Sequence, residues 1–496
     1  MWRLANALAL ACVGLALHLN SGAAQQVAYS PAMESLSSVA LGNAPTHVAS
    51  SNYYAAGLMP AGYPLFEGHP QSIDDTSFPQ DLLRRPGVGM CESSLCRNAK
   101  VWASAQSVFS FQKSRRLPTL VTSSPAGPPA TSQLQAGVLG LPTTTIRFGD
   151  NNFDNNPQLG FGGELGLWLQ RFDGRKGVGV AFTYLPEDEI GFTTSSNGSP
   201  ILARPFFDTL NNVQASQLVA YPGLVNGQVN IKGGTEIRSG ELFLRHQIGA
   251  CPRTPRLFFL AGEVGTCLRY ALNLPCMHRV PGVRHLGGGV CNVLTSMPET
   301  RLDLITGLRF TRIDDRLLVN NSLISLDPAF LGQVGTTLDA FDLFDTRNEF
   351  HGSTIGMKSV SRYGCWTLSL AGKVALGRMR QEVTIDGQTV TSLPGVVDST
   401  SEGGLLAQPG QNIGNYERTR FGVNPEAQIS LSYDLTCRLR LGAGYQFMYW
   451  NDIVVAGDQV NLAMDITQSQ INDDPFEFHQ TDHFVHAATL FLHWNY

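Results

Sequence analysis

Eleven charged residues sit at alternate positions within apolar runs, and their chemistry is that of ions in a confined space. Glu164, Glu241, Arg245, Asp303, Arg309, Lys373, Arg418, Arg420, Glu426, Arg438 and Arg440 stand one step from residues such as Leu165, Leu242, Leu304, Leu308, Phe421 and Leu441. Side chains alternate across a strand, so the charges share one face and the apolar groups the other. A basic group facing lipid costs roughly 2–4 kcal/mol at the midplane of a membrane. The charged face must therefore turn inward, where its members line water or pair with one another. Arg438 and Arg440 would then bear on ion selectivity.

Other chemistry-bearing residues point less far. His479, Asp482, His483 and His486 cluster near the chain end, as a metal site or an acid–base pair would require. His483 and His486 differ in parity, however, so a strand sends them to opposite faces. The run 151–156 (Asn-Asn-Phe-Asp-Asn-Asn) offers oxygen ligands without the EF-hand spacing, and such tracts usually make turns. Glycine triplets such as 287–289 do not follow a strand and open a helix, so no nucleotide fingerprint is present. No Ser/His/Asp constellation stands out. The chain reads as a non-enzyme, with no cofactor and no metal.

The positioning elements are strands. In 483–496, Phe484, Ala488, Leu490, Leu492, Trp494 and Tyr496 share one parity, broken by His486, against Thr489, His493 and Asn495. Trp494 and Tyr496, with Tyr445 and Tyr449, stand where an interfacial aromatic girdle would. A terminal aromatic strand is also the signal read by the barrel assembly machinery in outer-membrane barrels, which this segment resembles. Nine further runs alternate: 101–112, 160–171, about 178–184, 235–248, 301–313, 348–361, 366–377, 418–433 and 438–449. The run at 348–361 has the weakest pattern.

Ten is an even number, so both termini fall on one side. Short and long connections alternate, with long ones of roughly 30–50 residues, as in such barrels. The fold expected is all-β, a transmembrane antiparallel up-and-down β-barrel of about ten strands, or twelve if 187–234 hides a hairpin. Eight strands close on a filled interior and sixteen leave a channel. Ten implies a narrow or plugged pore with a partly salt-bridged lumen.

The first 24 residues have Arg3, an apolar run at 4–19 and small residues before Gln25, the pattern of a cleaved signal peptide. Residues 25–98 are rich in Ala, Ser, Pro and Gly without sustained period, which predicts a flexible periplasmic arm. Charged residues are 15% of the chain, against roughly 25% in soluble domains. The net charge of −5 argues against a nucleic-acid partner; the expected surroundings are outer-membrane lipid. The oligomeric state stays open. Of nine cysteines, Cys251, Cys267, Cys276 and Cys291 fall in an insertion at 250–300. Export favours disulfides there, and Cys91–Cys96 would make a local bridge. Cys365 and Cys437 begin alternate strands about 9–10 Å apart, beyond disulfide reach.

Several segments together resemble the outer-membrane family called beta-barrel porin seven, of the planctomycete type. They are Ala136-Gly137-Val138-Leu139-Gly140, Ile201-Leu202-Ala203-Arg204-Pro205-Phe206-Phe207, Lys373-Val374-Ala375-Leu376-Gly377, and Gly403-Gly404-Leu405-Leu406-Ala407. Phe421-Gly422-Val423-Asn424-Pro425-Glu426, Tyr449-Trp450-Asn451 and Gly457-Asp458-Gln459-Val460-Asn461 complete the set. The resemblance runs from about Lys100 to Tyr496 and implies an outer-membrane barrel with a pore. It supplies no catalytic residues. Two stretches depart from it: the arm before Val101, and residues 250–300, inserted where a short periplasmic turn is expected.

Overall fold

Ten antiparallel strands close into a ring, each paired with its neighbours in sequence. The computed structural model describes residues 100–127, 131–150, 152–153, 157–169, 175–187, 189–252, 299–363, 365–436, 438–465 and 476–496. The ring consists of β1 (Val101–Gln112), β2 (Gln158–Leu169), β3 (Lys176–Leu185), β4 (Val225–Pro252) and β5 (Glu299–Ser325). It continues through β6 (Thr337–Tyr363), β7 (Trp366–Ser392), β8 (Gly414–Asp434), β9 (Leu439–Ile453) and β10 (Thr481–Asn495). Closure comes from β1 against β10, from Trp102↔Asn495 to Gln112↔Val485. A closed ring leaves no unpaired edge for lipid, where each unsatisfied backbone group would cost several kcal/mol. Outside, Leu165, Phe182, Leu242, Leu308, Ile355, Leu376, Ile429, Leu441 and Leu490 are exposed and form the apolar belt.

Four strands are longer than the sequence pattern predicts. β4 has 28 residues and β5, β6 and β7 have 27 each, where about 9–11 suffice to span a membrane. The expected runs cover only about half of each. The β5–β6 ladder is unbroken from Ile324↔Thr337 to Thr300↔Ser361, so the expected long loop between them shrinks to residues 326–336. Polarity inverts beyond the belt. Outward positions become charged, with ion pairs Arg238–Glu236, Arg312–Asp314, Arg347–Asp314 and Arg380–Glu417 at 2.6, 2.6, 3.1 and 2.7 Å. Inward positions become apolar: Val229, Ile231, Val319, Phe344, Val383 and Ile385 are fully buried. Outside a membrane the outer face meets water and the inner face meets protein.

What the inner face meets is a cap. Val213–Ala220, Ile201–Asp208, Val121–Ser124 and Thr145–Phe148 form a second sheet, with Ala463–Met464 added in parallel. Leu120, Val121, Leu202, Phe206, Val219 and Met464 pack with the extended strands in one apolar core. Arg204 anchors it, nearly fully buried, donating from Nη2 to Asp342 Oδ2 at 2.6 Å and from Nη1 to Asn321 Oδ1 at 2.8 Å. Asp342 Oδ1 also accepts from the backbone N–H of Leu406 and of Ala407, both at 2.8 Å. Ile190–Ser196 pairs with the extension of β4 as a side branch, and the ring stays at ten rather than twelve.

The signal peptide (1–24), the arm (25–98), the Cys91–Cys96 bridge, Cys267, Cys276, Cys291, Cys437 and most of the 151–156 tract lie outside the described residues. Cys365, in the turn entering β7, is disulfide-bonded.

Candidate functional site

Three layers fill the ring. Nearest the short-turn rim is a polar cavity of about 250 Å³ lined by Trp102, Glu164, Trp168, Arg245, Arg301, Lys358, Arg440 and His493, among others. The indole N–H of Trp102 donates to Glu164 Oε1 at 2.7 Å. Asp303, fully buried behind the wall, accepts from Arg245 at 2.5 Å and pairs with Arg301 at 3.1 Å. Trp168 is flanked by both guanidinium groups, Arg245 at 5.3 Å and Arg301 at 5.1 Å from its ring. Arg440 pairs with Asp434 at 2.7 Å.

The middle layer is an ionic cluster that crosses the ring. Arg309 Nη2 donates to Glu241 Oε2 at 2.7 Å and to Glu426 Oε2 at 2.5 Å. Lys373 Nζ reaches Glu241 at 2.9 Å and Glu426 at 3.4 Å. Gln446 Nε2 adds a bond to Glu426 Oε1 at 3.1 Å. The five residues come from β4, β5, β7, β8 and β9, so the cluster ties nearly opposite walls together. Burial costs such pairs their hydration, and their mutual attraction offsets that cost only when the hydrogen bonds are well placed.

The third layer is apolar. Val108, Leu185, Ile237, Ile313, Phe350, Met379, Trp450 and Val485 form one buried cluster with Ala375, Met448, Ile453 and Ala487. Eight strands contribute to it. The other two, β2 and β8, present glycines: a Cβ on Gly160 would come within 2.7 Å of Leu185, and one on Gly422 within 3.0 Å of Phe350. Those glycines let large neighbours cross the interior, and the cross-section is packed with side chains as a narrow barrel should be.

Above this layer β9 bends inward. The β8–β9 ladder stops at Glu426↔Met448, next to Pro425, which has no N–H to offer. The β9–β10 register shifts between Trp450 and Ile453, and Asp452 takes a left-handed φ of 52°. The chain then enters the ring. Asn348 exchanges two bonds with Val454, at 2.7 and 2.8 Å, and Ala456 N–H donates to Asp315 Oδ1 at 2.8 Å. The buried 3-10 turn Ala456–Gln459 follows, and Gln459 Nε2 donates to His479 O at 2.6 Å. On its way back the chain stacks Phe476 on Tyr416 at 3.9 Å and sets Phe478 under Arg418 at 4.3 Å.

Of the eleven charges singled out from the sequence, Glu164, Glu241, Arg245, Arg309, Lys373, Glu426 and Arg440 line the cavity, and Asp303 lies behind it. Arg418, Arg420 and Arg438 are elsewhere. Arg418 bonds Gln381 at 2.7 Å and Gln480 at 2.8 Å, and Arg420 is exposed. Both lie where β8 has parted from β9, so parity no longer aims them into a closed ring. Arg438 precedes β9 and rests over the Tyr496 ring at 5.1 Å. Trp494 and Tyr496 are exposed and stacked at 5.4 Å. Tyr445 is also exposed, its hydroxyl bonded to His486. Tyr449 is not part of the exposed girdle: it is 4% exposed, at the point where β9 turns inward. His483 is buried near Gln112 while His486 faces outward, so the histidine cluster is split. Lys358, Trp102, Trp168 and Arg301 went unnoticed in the sequence, and parity puts His493 on the polar face of the last strand without giving it a role. Parity would have found Lys358, which opposes Ile355 and Met357 in the weakly patterned sixth run.

A family model described as "Putative beta barrel porin-7 (BBP7)" matches residues 102–496. No curated protein matches the chain. Among solved structures, the monoaromatic hydrocarbon channel TodX carrying a deltaS2S3 mutation is 9% identical, with a TM-score of 0.20, over 80% of this chain and 91% of that one. The Pseudomonas putida toluene transporter TodX gives 9%, 0.19, 82% and 92%. The Ralstonia pickettii toluene transporter TbuX gives 10%, 0.17, 80% and 90%. Such low superposition scores add nothing to the architecture described above. The family match covers the whole ring, both termini of the barrel and the cap, and on it this chain belongs to the beta barrel porin-7 family of outer-membrane barrels.

Proposed function

We propose that this protein is an outer-membrane channel for small polar solutes or ions and that the conformation described is its closed form. The observation that carries this is the charged cavity enclosed by ten strands. A ring built only as a membrane anchor gains nothing from six cations inside it, because each buried charge costs free energy unless paired or hydrated. The seal is made of side chains and the segment between β9 and β10, and the backbone ladders of the ring depend on neither. The apolar layer and the cap favour a second reading, a permanently closed barrel that acts through its outer surface.

Single-channel recording in a planar bilayer separates the two, once gel mobility shows the barrel folded. Reproducible ion-carrying steps are expected, at least intermittently. Complete silence from folded protein would support the closed barrel.

In this reading residues 1–24 are removed on export, 25–98 remain in the periplasm with the short-turn end, and the disulfide at Cys365 forms in that oxidising compartment. The exposed Trp494–Tyr496 pair serves both as the interfacial girdle in outer-membrane lipid and as the mark read by the barrel assembly machinery. Trp494→Ala with Tyr496→Ala should therefore cut the heat-modifiable, membrane-integrated fraction several-fold while synthesis is unchanged. Equal membrane levels would refute that role.

A further inference from the structure

Channel function leaves open which solute the cavity accepts, and its wall is not balanced. Arg245, Arg301, Arg309, Lys358, Lys373 and Arg440 line it, against Glu164, Glu241 and Glu426. Asp303 and Asp434 stand behind and are already engaged by arginines. Glu241 and Glu426 are held by Arg309 and Lys373. Glu164 accepts from Trp102. Lys358 alone among these six cations makes no hydrogen bond or ion pair among the described residues.

We propose that the cavity binds a small oxyanion, a carboxylate or phosphate, with Lys358 as its principal partner; this rests on the channel reading. An ammonium offers three donors and no acceptor; the Glu164 carboxylate attracts it across the cavity without taking a bond from it, and an oxyanion would accept the donors that Glu164 leaves open. A volume near 250 Å³ holds about eight waters, so acetate or phosphate fits with part of its hydration. Diffusion through such a site would favour anions over cations.

The test uses Trp102 and Trp168, which also line the cavity. Folded protein in detergent is titrated with sodium acetate and, separately, inorganic phosphate, at constant ionic strength set with a bulky anion. A saturable fluorescence change is expected with one or both, and the two curves tell the carboxylate from the phosphate. Lys358→Gln should weaken it about tenfold, the worth of one charged hydrogen bond. If that variant does not fold, Lys358→Arg is compared instead and should shift the curve at least threefold, because a planar fork replaces a point charge. An unsaturable wild-type response, or variant curves superimposable on wild type, overturns the site. Bilayer steps without anion preference would sink the site and leave the channel. Saturable binding in a barrel that never conducts would do the reverse.

Discussion

Arg309→Met is expected to lower the unfolding free energy of the barrel by about 3–5 kcal/mol, the cost of removing one partner from a buried ionic cluster. Arg309 is 9% exposed and bridges Glu241 and Glu426 from a single nitrogen. Without it the two carboxylates share only Lys373. Two anions would then share one cation in a confined cavity, where the few waters present hydrate them less well than bulk solvent does. The compensated variant Glu241→Gln/Arg309→Met leaves Glu426 with Lys373 and should recover more than half of the loss, because the penalty comes from unpaired charge and not from the missing bond alone. Urea unfolding from lipid vesicles, followed by tryptophan emission, measures both. A loss under about 1 kcal/mol for the single variant would mean that water reaches the cluster freely, as at surface pairs.

The ring itself is legible in the sequence because lipid imposes one rule on every strand. Outward positions such as Leu165, Leu242, Leu308 and Leu490 must be apolar, and the opposite parity gathers Glu241, Arg309, Lys373 and Glu426. Strand number, order and pairing follow from that alternation. The rule ends where lipid ends. At Arg238, Arg312, Arg347 and Arg380 the outward positions turn charged, and a pattern drawn for membranes stops there, though the ladders continue. The inverse pattern, apolar Val229, Val319, Phe344 and Val383 inside, is that of a soluble barrel end. Read separately, it would have extended four strands and shortened three loops.

The segments that carry the family resemblance have a physical meaning only the structure gives. Ile201–Asp208 is a strand of the cap sheet, and its Arg204 meets Asp342, which also holds Leu406 and Ala407. Gly137 accepts from Thr122 in the same cap, at 2.7 Å. Tyr449-Trp450-Asn451 is where β9 bends, and residues 457–461 belong to the chain that enters the ring. Parity cannot place such residues, since each is fixed by a partner far away in sequence. Arg418 and Arg420 failed for the same reason: Pro425 parts β8 from β9, and no alternation count registers the parting.

Steady conductance, in place of the rare steps expected of the wild type, should appear only when two of the obstructions above the cavity are removed together. Ile453 and Thr481 are ladder partners, so residues 454–480 can be replaced by a short Gly/Ser/Asn turn between strands already side by side. That deletion removes the contacts to Asn348 and Asp315 but leaves Phe350, Met379 and Trp450 across the interior. An ion moved from water into an apolar layer faces a barrier of tens of kcal/mol by Born solvation, so the deletion alone should stay nearly silent in a bilayer, with steps as rare as those of wild type. Phe350→Ala with Trp450→Ala opens the layer but leaves the returning chain over it, and should also stay nearly silent. Each truncation costs about 3–5 kcal/mol, so folding must be verified by gel mobility before recording. Only the combination clears both and also takes Met464 from the cap core, and it should give steady open steps where wild type gives rare ones. Steady conduction by the loop deletion alone would show that the apolar layer is not a seal. A folded, silent combination would mean that the cavity leads nowhere, and the permanently closed barrel would then be the better account of this ring.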